Sequence, residues 1–389
     1  ISTLSSFVFF LRALFLRLWG YLVHLVSPGK ARSIQKIVFY SEGRQYWNVF
    51  QPILMALSKR GVPASYLTSD RDDPGLDSKL DGITSKYIGK IGVASAFMAQ
   101  LKADFVGMTT PQLDVLTLKR SKRVKHYAHV IHAPADIFTY RKFAFDYFDS
   151  VFCSGEHQIH SIRSLEAKRG TKKKELYPVG CTYYDYMLEH SPKKSTNTNS
   201  TKTILIAPTW TEFSLLNQFG FKLCEQILIS TNYKVALRPH PQTYVSYPQV
   251  IREIEDGFLK NPKFQIDREP SPESAMSNCD LMISDISGVI WDYAFLFEKP
   301  LMVFETKLNL NGFEGTELNP PMWEKVAIPK VAEVLSESDI PQISEKINSL
   351  MSGSSATQAR EIRAESVFNW GKAGEAAADK IVEICGALK

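Results

Sequence analysis

The segment at residues 284–288 combines residue types that bind phosphate groups. It contains Ser284, Asp285, Ser287 and Gly288, and it lies between an apolar run and an amphipathic stretch. A helix that begins here would present unpaired backbone N–H groups and a partial positive charge, and the serines would add hydroxyl donors. Gly288 would allow a ligand to approach the backbone closely. The segment predicts a diphosphate cradle, although an ordinary helix cap uses the same residue types.

A second segment places a cation and an imidazole at the end of an apolar run. Arg238 and His240 alternate with Pro239 and Pro241, and the two prolines restrict the turn in which the imidazole lies. An arginine there would neutralise phosphate charge, and a histidine would donate to a leaving oxygen. We therefore predict a donor-binding role for Arg238 and a catalytic role for His240. The alternative is a surface turn that happens to contain a histidine.

Three histidines define a third segment. Strand alternation would place His126 and His129 on opposite faces, and His132 would follow the end of the strand. A neutral imidazole at that position would accept a proton from an acceptor hydroxyl, so His132 is the predicted general base. The spacing does not bring the three rings together on a strand, so a metal site is the weaker interpretation. We expect no cofactor beyond a nucleotide-activated substrate; a divalent metal is compatible with the sequence but not indicated by it.

Two further residues follow apolar runs and are assigned to the donor site. Thr209 would line the ligand cleft, and Glu305 would accept from a ribose hydroxyl. Each also fits a simpler role, as a strand exit and as a solvated loop carboxylate.

Alternating strand and helix patterns position these segments. One α/β unit is predicted over residues 34–188 and a second over 203–352, with a polar linker at 189–202 and terminal helices at 353–389. Two doubly wound units in tandem place a cleft at their strand ends, where ligands bind in such folds. The predicted strands are 36–40, 64–68, 105–108, 127–131, 151–153, 176–179, 203–207, 234–237, 264–266, 281–283 and 301–304.

Residues 1–33 differ in character from the rest of the chain. A helix over 4–26 would gather aromatic and aliphatic side chains on one face, with Arg12 and Arg17 on the other. We predict that it lies in a membrane interface. A spanning helix would bury both arginines at about 2.5–3.5 kcal/mol each. Packing against the protein's own core is a further alternative.

Composition excludes several classes of protein. The chain of 389 residues is 44% hydrophobic and 22% charged, which is typical of packed domains rather than of disorder. A net charge of +5 is too small to indicate a dedicated nucleic-acid binder, and we expect no nucleic-acid partner. The five cysteines are scattered without zinc spacing.

The motifs resemble those of the CDP-glycerol glycerophosphotransferases, which make teichoic acids. The resembling stretches are IAPTW, LRPHP, CDLMISDISGVIWDYAFLFEKPLMVFE, FDYFDSVFCSGEHQ and VGCTYYDYML. The family typically has His-Gly-Thr where this chain has His132-Ala133-Pro134, and Pro-Arg-x-Asp where this chain has Thr182-Tyr183-Tyr184-Asp185.

The resemblance implies a GT-B fold, with two Rossmann-like domains facing a cleft. It implies transfer of a polyol phosphate from a CDP-polyol donor to a polyprenyl- or lipid-linked acceptor, with release of CMP. It also implies a peripheral location on the cytoplasmic face of the bacterial inner membrane, in cell-envelope or capsule polymer synthesis.

Three alternatives remain open. The first is a GT-B glycosyltransferase that uses a CMP- or UDP-activated sugar for capsule or lipopolysaccharide. The second is a membrane-docked scaffold without activity, against which the Arg238/His240 and Ser284/Ser287 pairs argue. The third is a nucleic-acid binder that uses the basic run at 119–125.

Overall fold

The computed structural model describes residues 34–388, except residues 116, 191–200, 270, 354 and 355. The chain divides into two compact units. Unit 1 contains the described residues up to Glu189, residues 310–319 and residues 366–388. Unit 2 contains the described residues of 190–309 and 320–365. Each unit is built on its own parallel sheet.

Unit 1 is formed around seven parallel strands. They are β1 (Ile37–Ser41), β2 (Ala64–Thr68), β3 (Ile83–Tyr87), β4 (Ala103–Met108), β5 (Val124–Val130), β6 (Ser150–Cys153) and β7 (Glu175–Pro178). Their order across the sheet is β3-β2-β1-β4-β5-β6-β7. The direction of winding reverses between β1 and β4, and in doubly wound folds ligands bind at the carboxyl ends of the strands beside such a reversal.

Four helices follow the strands of unit 1 in the first half of the chain. They are α1 (Trp47–Lys59), α2 (Ile91–Gln100), α3 (Glu156–Arg169) and α4 (Thr182–His190). Helix α1 packs against one face of the sheet through Val49, Phe50, Ile53 and Leu57, all of which are buried. It ends near Gly61, whose φ of +65° favours glycine.

Unit 2 repeats the same winding with six strands. They are β8 (Thr203–Ile206), β9 (Lys234–Leu237), β10 (Phe264–Ile266), β11 (Leu281–Ser284), β12 (Leu301–Phe304) and β13 (Glu333–Leu335). Their order is β10-β9-β8-β11-β12-β13, so the reversal lies between β8 and β11. The central strands are mostly apolar and, apart from the partly exposed Thr203 at the start of β8, buried, as expected of parallel strands covered on both faces.

The helices of unit 2 cover this sheet. They are α5 (Leu215–Ser230), α6 (Pro241–Ser246), α7 (Pro248–Phe258), α8 (Glu273–Asn278), α9 (Val289–Asp292), α10 (Trp323–Val331), α11 (Ile343–Ser352) and α12 (Ala356–Ser366). Helix α9 continues into a π-helical turn at Tyr293–Phe297.

The last helix, α13 (Ala373–Ala387), returns the chain to unit 1. Ala377, Ala378 and Ile381 are fully buried in the same core as α1. The start of the helix is fixed by Asp185, whose Oδ2 accepts from the Gly374 backbone N–H at 2.7 Å. Asp185 therefore caps the start of α13.

Residues 310–319 also belong to unit 1, although they follow β12 in the chain. The Arg169 guanidinium pairs with Glu314, with Asp146 at 2.7 Å and with Glu317 at 2.8 Å. This buried network attaches the segment to α3. This excursion was not predicted from the sequence, and the sequence left open which of the two units the C-terminal helices would join.

The strand predictions agree closely with the structure. Strands 64–68, 234–237, 264–266 and 301–304 are reproduced, and the other predicted strands are shifted or extended by one to three residues. The edge strands β3 and β13 were missed. The predicted interfacial helix at 4–26 lies outside the described residues. Within the described chain, no helix has both the length and the apolar character required to cross a bilayer.

Candidate functional site

In unit 2 the predicted site residues lie at the carboxyl ends of neighbouring strands. Thr209 follows β8, Arg238 follows β9, Ser284 ends β11 and Glu305 follows β12. Three of these strands, β9, β8 and β11, are adjacent and include the winding reversal. The sheet therefore brings Thr209, Arg238 and residues 284–288 to the edge at which doubly wound folds bind ligands.

Asp285 organises the loops on both sides of the reversal. It is fully buried, and its carboxylate accepts from the backbone N–H of Thr209 at 2.7 Å and of Leu215 at 2.9 Å. Burial raises the Asp285 pKa to about 6, while these backbone bonds oppose the shift. Both carboxylate oxygens bind the protein itself, so Asp285 positions the Thr209 loop and the start of α5.

The serines of the predicted cradle differ in availability. Ser284 is fully buried, and its hydroxyl donates to the Ala207 carbonyl at 2.6 Å. Ser287 is partly exposed, and its backbone N–H donates to the Asp285 carbonyl at 2.8 Å. The Ser284 hydroxyl thus joins β11 to the end of β8, whereas the Ser287 side chain can reach a ligand.

Gly288 gives a ligand room to approach. It is exposed, and a Cβ built on it would meet no atom within 4 Å. Its φ of −58° and ψ of −28° are ordinary helical values, so backbone strain does not require glycine here. No side chain caps α9. The Ile290 and Trp291 N–H groups donate to the Ser287 and Gly288 carbonyls at 3.2 and 3.1 Å, so an anion here would be bound by the N–H groups of Gly288 and Val289. The start of α9 is therefore open to an anion.

His240 has a defined tautomer. It is the N-cap of α6, and its Nδ1 accepts from the Gln242 backbone N–H at 3.1 Å. An accepting Nδ1 leaves the proton on Nε2 in the neutral ring. Burial lowers the His240 pKa, which favours that neutral form. The ring lies 6.3 Å from that of the exposed Trp210, so Nε2–H is a donor at the strand-end surface.

Arg238 is fixed by the neighbouring strand. One guanidinium nitrogen lies 2.6 Å from Asp267 Oδ2, and the other terminal nitrogen donates to the Glu269 carbonyl at 2.9 Å. Asp267 offsets much of the guanidinium charge, and the two bonds set its plane. Arg238 has further N–H donors for a ligand, but it is not an isolated cation.

Glu305 is more exposed than the other predicted donor residues. Its side chain is 63% accessible, and its carboxylate lies 3.9 Å from Lys325 Nζ. The Glu305 backbone N–H donates to Leu335, which joins the end of β12 to β13. Glu305 belongs to the same sheet edge, one strand farther from the reversal than Ser284.

His132 lies at the strand ends of unit 1. It follows β5, and its ring is 5.3 Å from that of Tyr46 and 6.4 Å from that of Tyr140. Burial lowers the His132 pKa to about 4, so the imidazole is neutral at pH 7. Its Nδ1 is buried and has no hydrogen-bond partner within the described chain.

The other two histidines lie on opposite faces of the sheet, as the alternation predicts. His126 stacks on Phe105 at 5.7 Å, and its Nε2 lies 2.8 Å from the Ser150 hydroxyl. His129 is fully buried between Phe145 and Phe148, at 5.0 and 5.2 Å. The described residues contain no group of histidine, cysteine and carboxylate side chains able to hold a metal ion.

Several residues at the unit 1 strand ends were not singled out from the sequence. Glu42 follows β1, Thr110 follows β4, and Tyr46 and Tyr140 flank His132. Their positions after predicted strands on either side of a winding reversal were the available signal.

A comparison of the sequence with known protein families shows which family it resembles. A family model described as CDP-glycerol:poly(glycerophosphate) glycerophosphotransferase matches residues 128–310. This match supports the predicted resemblance to that family over the matched residues. The match includes His132, Thr209, Arg238, His240 and residues 284–288, and the chain is a glycerophosphotransferase-like enzyme. No protein with curated annotation matches the sequence significantly.

Solved structures share the fold of this glycerophosphotransferase-like chain. UDP-GlcNAc 2-epimerase from Methanocaldococcus jannaschii has a TM-score of 0.56 and 16% identity, over 91% of this chain and 100% of that one. The Neisseria meningitidis enzyme of that name has a TM-score of 0.55 and 15% identity, over 91% and 100%. A glycosyltransferase from Rickettsia africae has a TM-score of 0.52 and 10% identity, over 92% and 99%. These neighbours confirm two parallel-sheet α/β units of the GT-B kind.

Proposed function

We propose that this protein transfers a polyol phosphate, such as glycerol phosphate, from a CDP-activated donor to a hydroxyl of a membrane-linked acceptor. The reaction would serve cell-envelope or capsule polymer synthesis. The observation that carries the proposal is the open start of α9 at Gly288, next to the winding reversal of unit 2 and within the matched family segment.

The donor would bind along the strand ends of unit 2. Its diphosphate would receive hydrogen bonds from the backbone N–H groups of Gly288 and Val289 and from the Ser287 hydroxyl. Arg238 would donate to a phosphate oxygen from the plane that Asp267 fixes, and Glu305 would accept from a ribose hydroxyl. Asp285 and Ser284 would act indirectly, because their polar atoms hold the loops that border the ligand.

The chemical step is an in-line displacement at phosphorus. The acceptor hydroxyl oxygen forms a bond to the phosphorus of the polyol phosphate, and the bond from that phosphorus to the bridging oxygen of CMP breaks. His132 takes the hydroxyl proton, and His240 Nε2–H donates a hydrogen bond to the departing phosphate oxygen. Positioning and charge stabilisation supply most of the rate enhancement in such reactions.

Turnover of CDP-glycerol tests this assignment. The full chain is incubated with radiolabelled CDP-glycerol and a membrane fraction, and CMP release is measured with transfer of label to lipid or polymer. We expect His132→Ala and His240→Ala to reduce both by about 10²-fold or more. Rates like those of the wild type in both variants would remove the mechanism.

A glycosyltransferase that uses a CMP- or UDP-activated sugar is the second candidate. Two fold neighbours are named as UDP-GlcNAc 2-epimerases, which gives this candidate a specific basis. The candidates are separated by a thermal-shift panel of CDP-glycerol, CDP-ribitol, CMP-sugars and UDP-sugars, because a ligand of the native state raises its melting temperature. We expect the largest shift with a CDP-polyol; a larger shift with a UDP-sugar would favour the second candidate.

We further propose that the N-terminal segment attaches the protein to the cytoplasmic face of the inner membrane. The support is the apolar and basic pattern of residues 4–26. The full chain should sediment with phosphatidylglycerol vesicles, and Phe15→Glu with Leu18→Glu should abolish sedimentation. Sedimentation of that double variant like the wild type would contradict the proposal.

A further inference from the structure

Unit 1 contains a group of polar side chains whose hydrogen-bonding capacity is largely unused. We call Glu42, Tyr46, Thr110, His132 and Tyr140 the strand-end cluster. Glu42 follows β1, Thr110 follows β4 and His132 follows β5, so the cluster lies at the winding reversal of its own sheet. Only His132 has been assigned a role above.

The topology brings these side chains together. Strands β1 and β4 pair in parallel, and Tyr40 lies opposite Met108. Glu42 and Thr110 each follow one of these two residues by two positions, so they lie next to each other beyond the strand ends. The Tyr46 ring is 5.3 Å from His132, and the His132 ring is 6.4 Å from Tyr140. The cluster is therefore continuous from β1 to the segment after β5.

Two members have buried polar atoms without a hydrogen-bond partner in the described chain. They are His132 Nδ1 and the Tyr140 hydroxyl oxygen, whereas the Thr110 hydroxyl lies beside the Glu42 carboxyl and stabilises its charged form. The Thr109 hydroxyl, on a residue that is 1% exposed, is also unpartnered. Leaving one such group unsatisfied costs about 1–3 kcal/mol. Several together are best explained by a ligand that supplies the missing bonds.

The chemistry of the cluster favours an uncharged ligand. His132 is neutral at pH 7, and burial raises the Tyr140 pKa far above its ordinary value, so the phenol is neutral too. Burial also raises the Glu42 pKa, and the neighbouring Thr110 hydroxyl lowers it partway. The basic residues nearest to these side chains in the sequence have other partners. Arg44 pairs with Asp70 at 2.9 Å and with Asp72 at 3.1 Å, and Arg141 lies 4.5 Å over the Phe313 ring.

A phosphate or carboxylate ligand in the strand-end cluster would contact one carboxyl group and otherwise only neutral side chains. Hydroxyls, phenols and neutral imidazoles can each donate or accept, which suits a ligand with several hydroxyl groups. From this arrangement we propose that the strand-end cluster binds the hydroxyl groups of an uncharged sugar or polyol, namely the acceptor terminus of the proposed reaction. The inference rests on the proposed function only for the identification of this ligand as the acceptor substrate.

Binding of small hydroxyl compounds tests the inference directly. Saturation-transfer NMR on the full chain would use glycerol, methyl β-D-glucopyranoside and glycerol 3-phosphate as probes. We expect a signal from glycerol or the glucoside. Tyr140→Phe and Thr110→Val, which keep the side-chain shape, should each weaken binding about fivefold to tenfold, the effect of losing one hydrogen bond. Whichever of the two uncharged probes binds more tightly identifies the polyol or the sugar as the preferred class.

Tyr147→Phe is the matched control, because it removes a phenol hydroxyl from an exposed position of the same unit. Its binding should equal that of the wild type. The inference is overturned if neither uncharged probe gives a signal, if the signals persist unchanged in both cluster variants, or if glycerol 3-phosphate displaces the uncharged probes at lower concentration.

A titration of the same samples with CDP-glycerol separates this inference from the proposed function. Failure of CDP-glycerol to bind the wild type would remove the proposed function, whatever the uncharged probes show. Normal CDP-glycerol binding with no effect of the cluster variants on the uncharged probes would remove only the inference.

Discussion

His240 has two functions that a single substitution can separate. Its Nδ1 caps α6, and its Nε2–H faces the strand-end surface. Asparagine is a good N-cap residue but has no donor at the position of Nε2. His240→Asn should therefore keep the unfolding midpoint of the wild type and lose about 10²-fold in CMP release from CDP-glycerol. Activity near that of the wild type in a stable His240→Asn protein would exclude the proposed donor role.

His129 predicts a specific dependence of stability on pH. Its pKa is lowered to about 3, first by burial and then by the nearby His132. The unfolded chain takes up a proton near pH 6.5 and the folded protein does not, so stability is lost as pH falls below that value. From pH 7 to pH 5 the loss due to His129 should be about 2 kcal/mol.

Urea unfolding of the wild type and of His129→Gln at pH 7 and pH 5 measures this effect. Glutamine does not titrate, so the variant should lose less stability than the wild type over that interval. Equal losses in the two proteins would mean that His129 is accessible to protons in the folded state. The comparison of variants removes contributions from other groups, including the buried His157.

At the scale of elements, Asp285 joins the end of β11 to the Thr209 loop and to α5. Asp285→Ala leaves one buried and one partly buried N–H group without an acceptor, so we expect a loss of about 2–4 kcal/mol in unfolding free energy at pH 7. In the folded protein the pKa of Asp285 is about 6, above its ordinary value of 3.8. The folded state therefore binds the proton first, and the wild type gains stability as pH falls from about 6 towards 3.8. The destabilisation measured by urea unfolding should therefore be larger at pH 5 than at pH 7; a smaller one would refute the assignment.

Helix α13 provides a second test at this scale. Ile381 is fully buried in the core that α13 shares with α1. Ile381→Ala should lower the unfolding free energy by about 2–5 kcal/mol. Val382 on the same helix is 40% exposed, and Val382→Ala is the control with little expected effect. If both variants unfold like the wild type, α13 does not contribute to the core of unit 1.

The elements also show what the sequence could and could not predict. Central strands such as β8 and β11 are short apolar runs, so their pattern was unambiguous. Edge strand β3 reads ITSKY and is only partly buried, so its composition does not differ from that of a loop. The return of α13 to unit 1 depends on long-range packing that no local pattern encodes.

The same distinction applies to the site residues. The sequence placed Arg238, His240 and residues 284–288 at strand ends, because strand periodicity determines where each strand stops. It did not reveal that the Ser284 hydroxyl donates to Ala207 or that Arg238 pairs with Asp267. Those partners come from neighbouring strands, and their identity depends on the strand order. The other members of the strand-end cluster were missed for the same reason, since they and His132 follow different strands.

At the scale of the whole molecule, two sheets with the same winding order carry different chemistry. The strand ends of unit 2 offer an uncapped helix start, a cation and an imidazole donor, which suit a nucleotide diphosphate. Those of unit 1 offer neutral hydroxyl, phenol and imidazole groups around one carboxyl. The proposed division of labour between a charged donor and an uncharged acceptor rests on these side chains, because the two sheets themselves are alike.

Calorimetric titration of CDP-glycerol into the wild type, Gly288→Val and Gly386→Val tests the central claim most directly. Both glycines have open space where a side chain would project, one at the start of α9 and the other near the end of α13. Neither substitution should disturb packing, and valine at 288 should obstruct the diphosphate. We predict that Gly288→Val loses more than about tenfold in affinity, or roughly 1.4 kcal/mol, while Gly386→Val binds like the wild type. Equal affinity in all three proteins would contradict the assignment of the donor site.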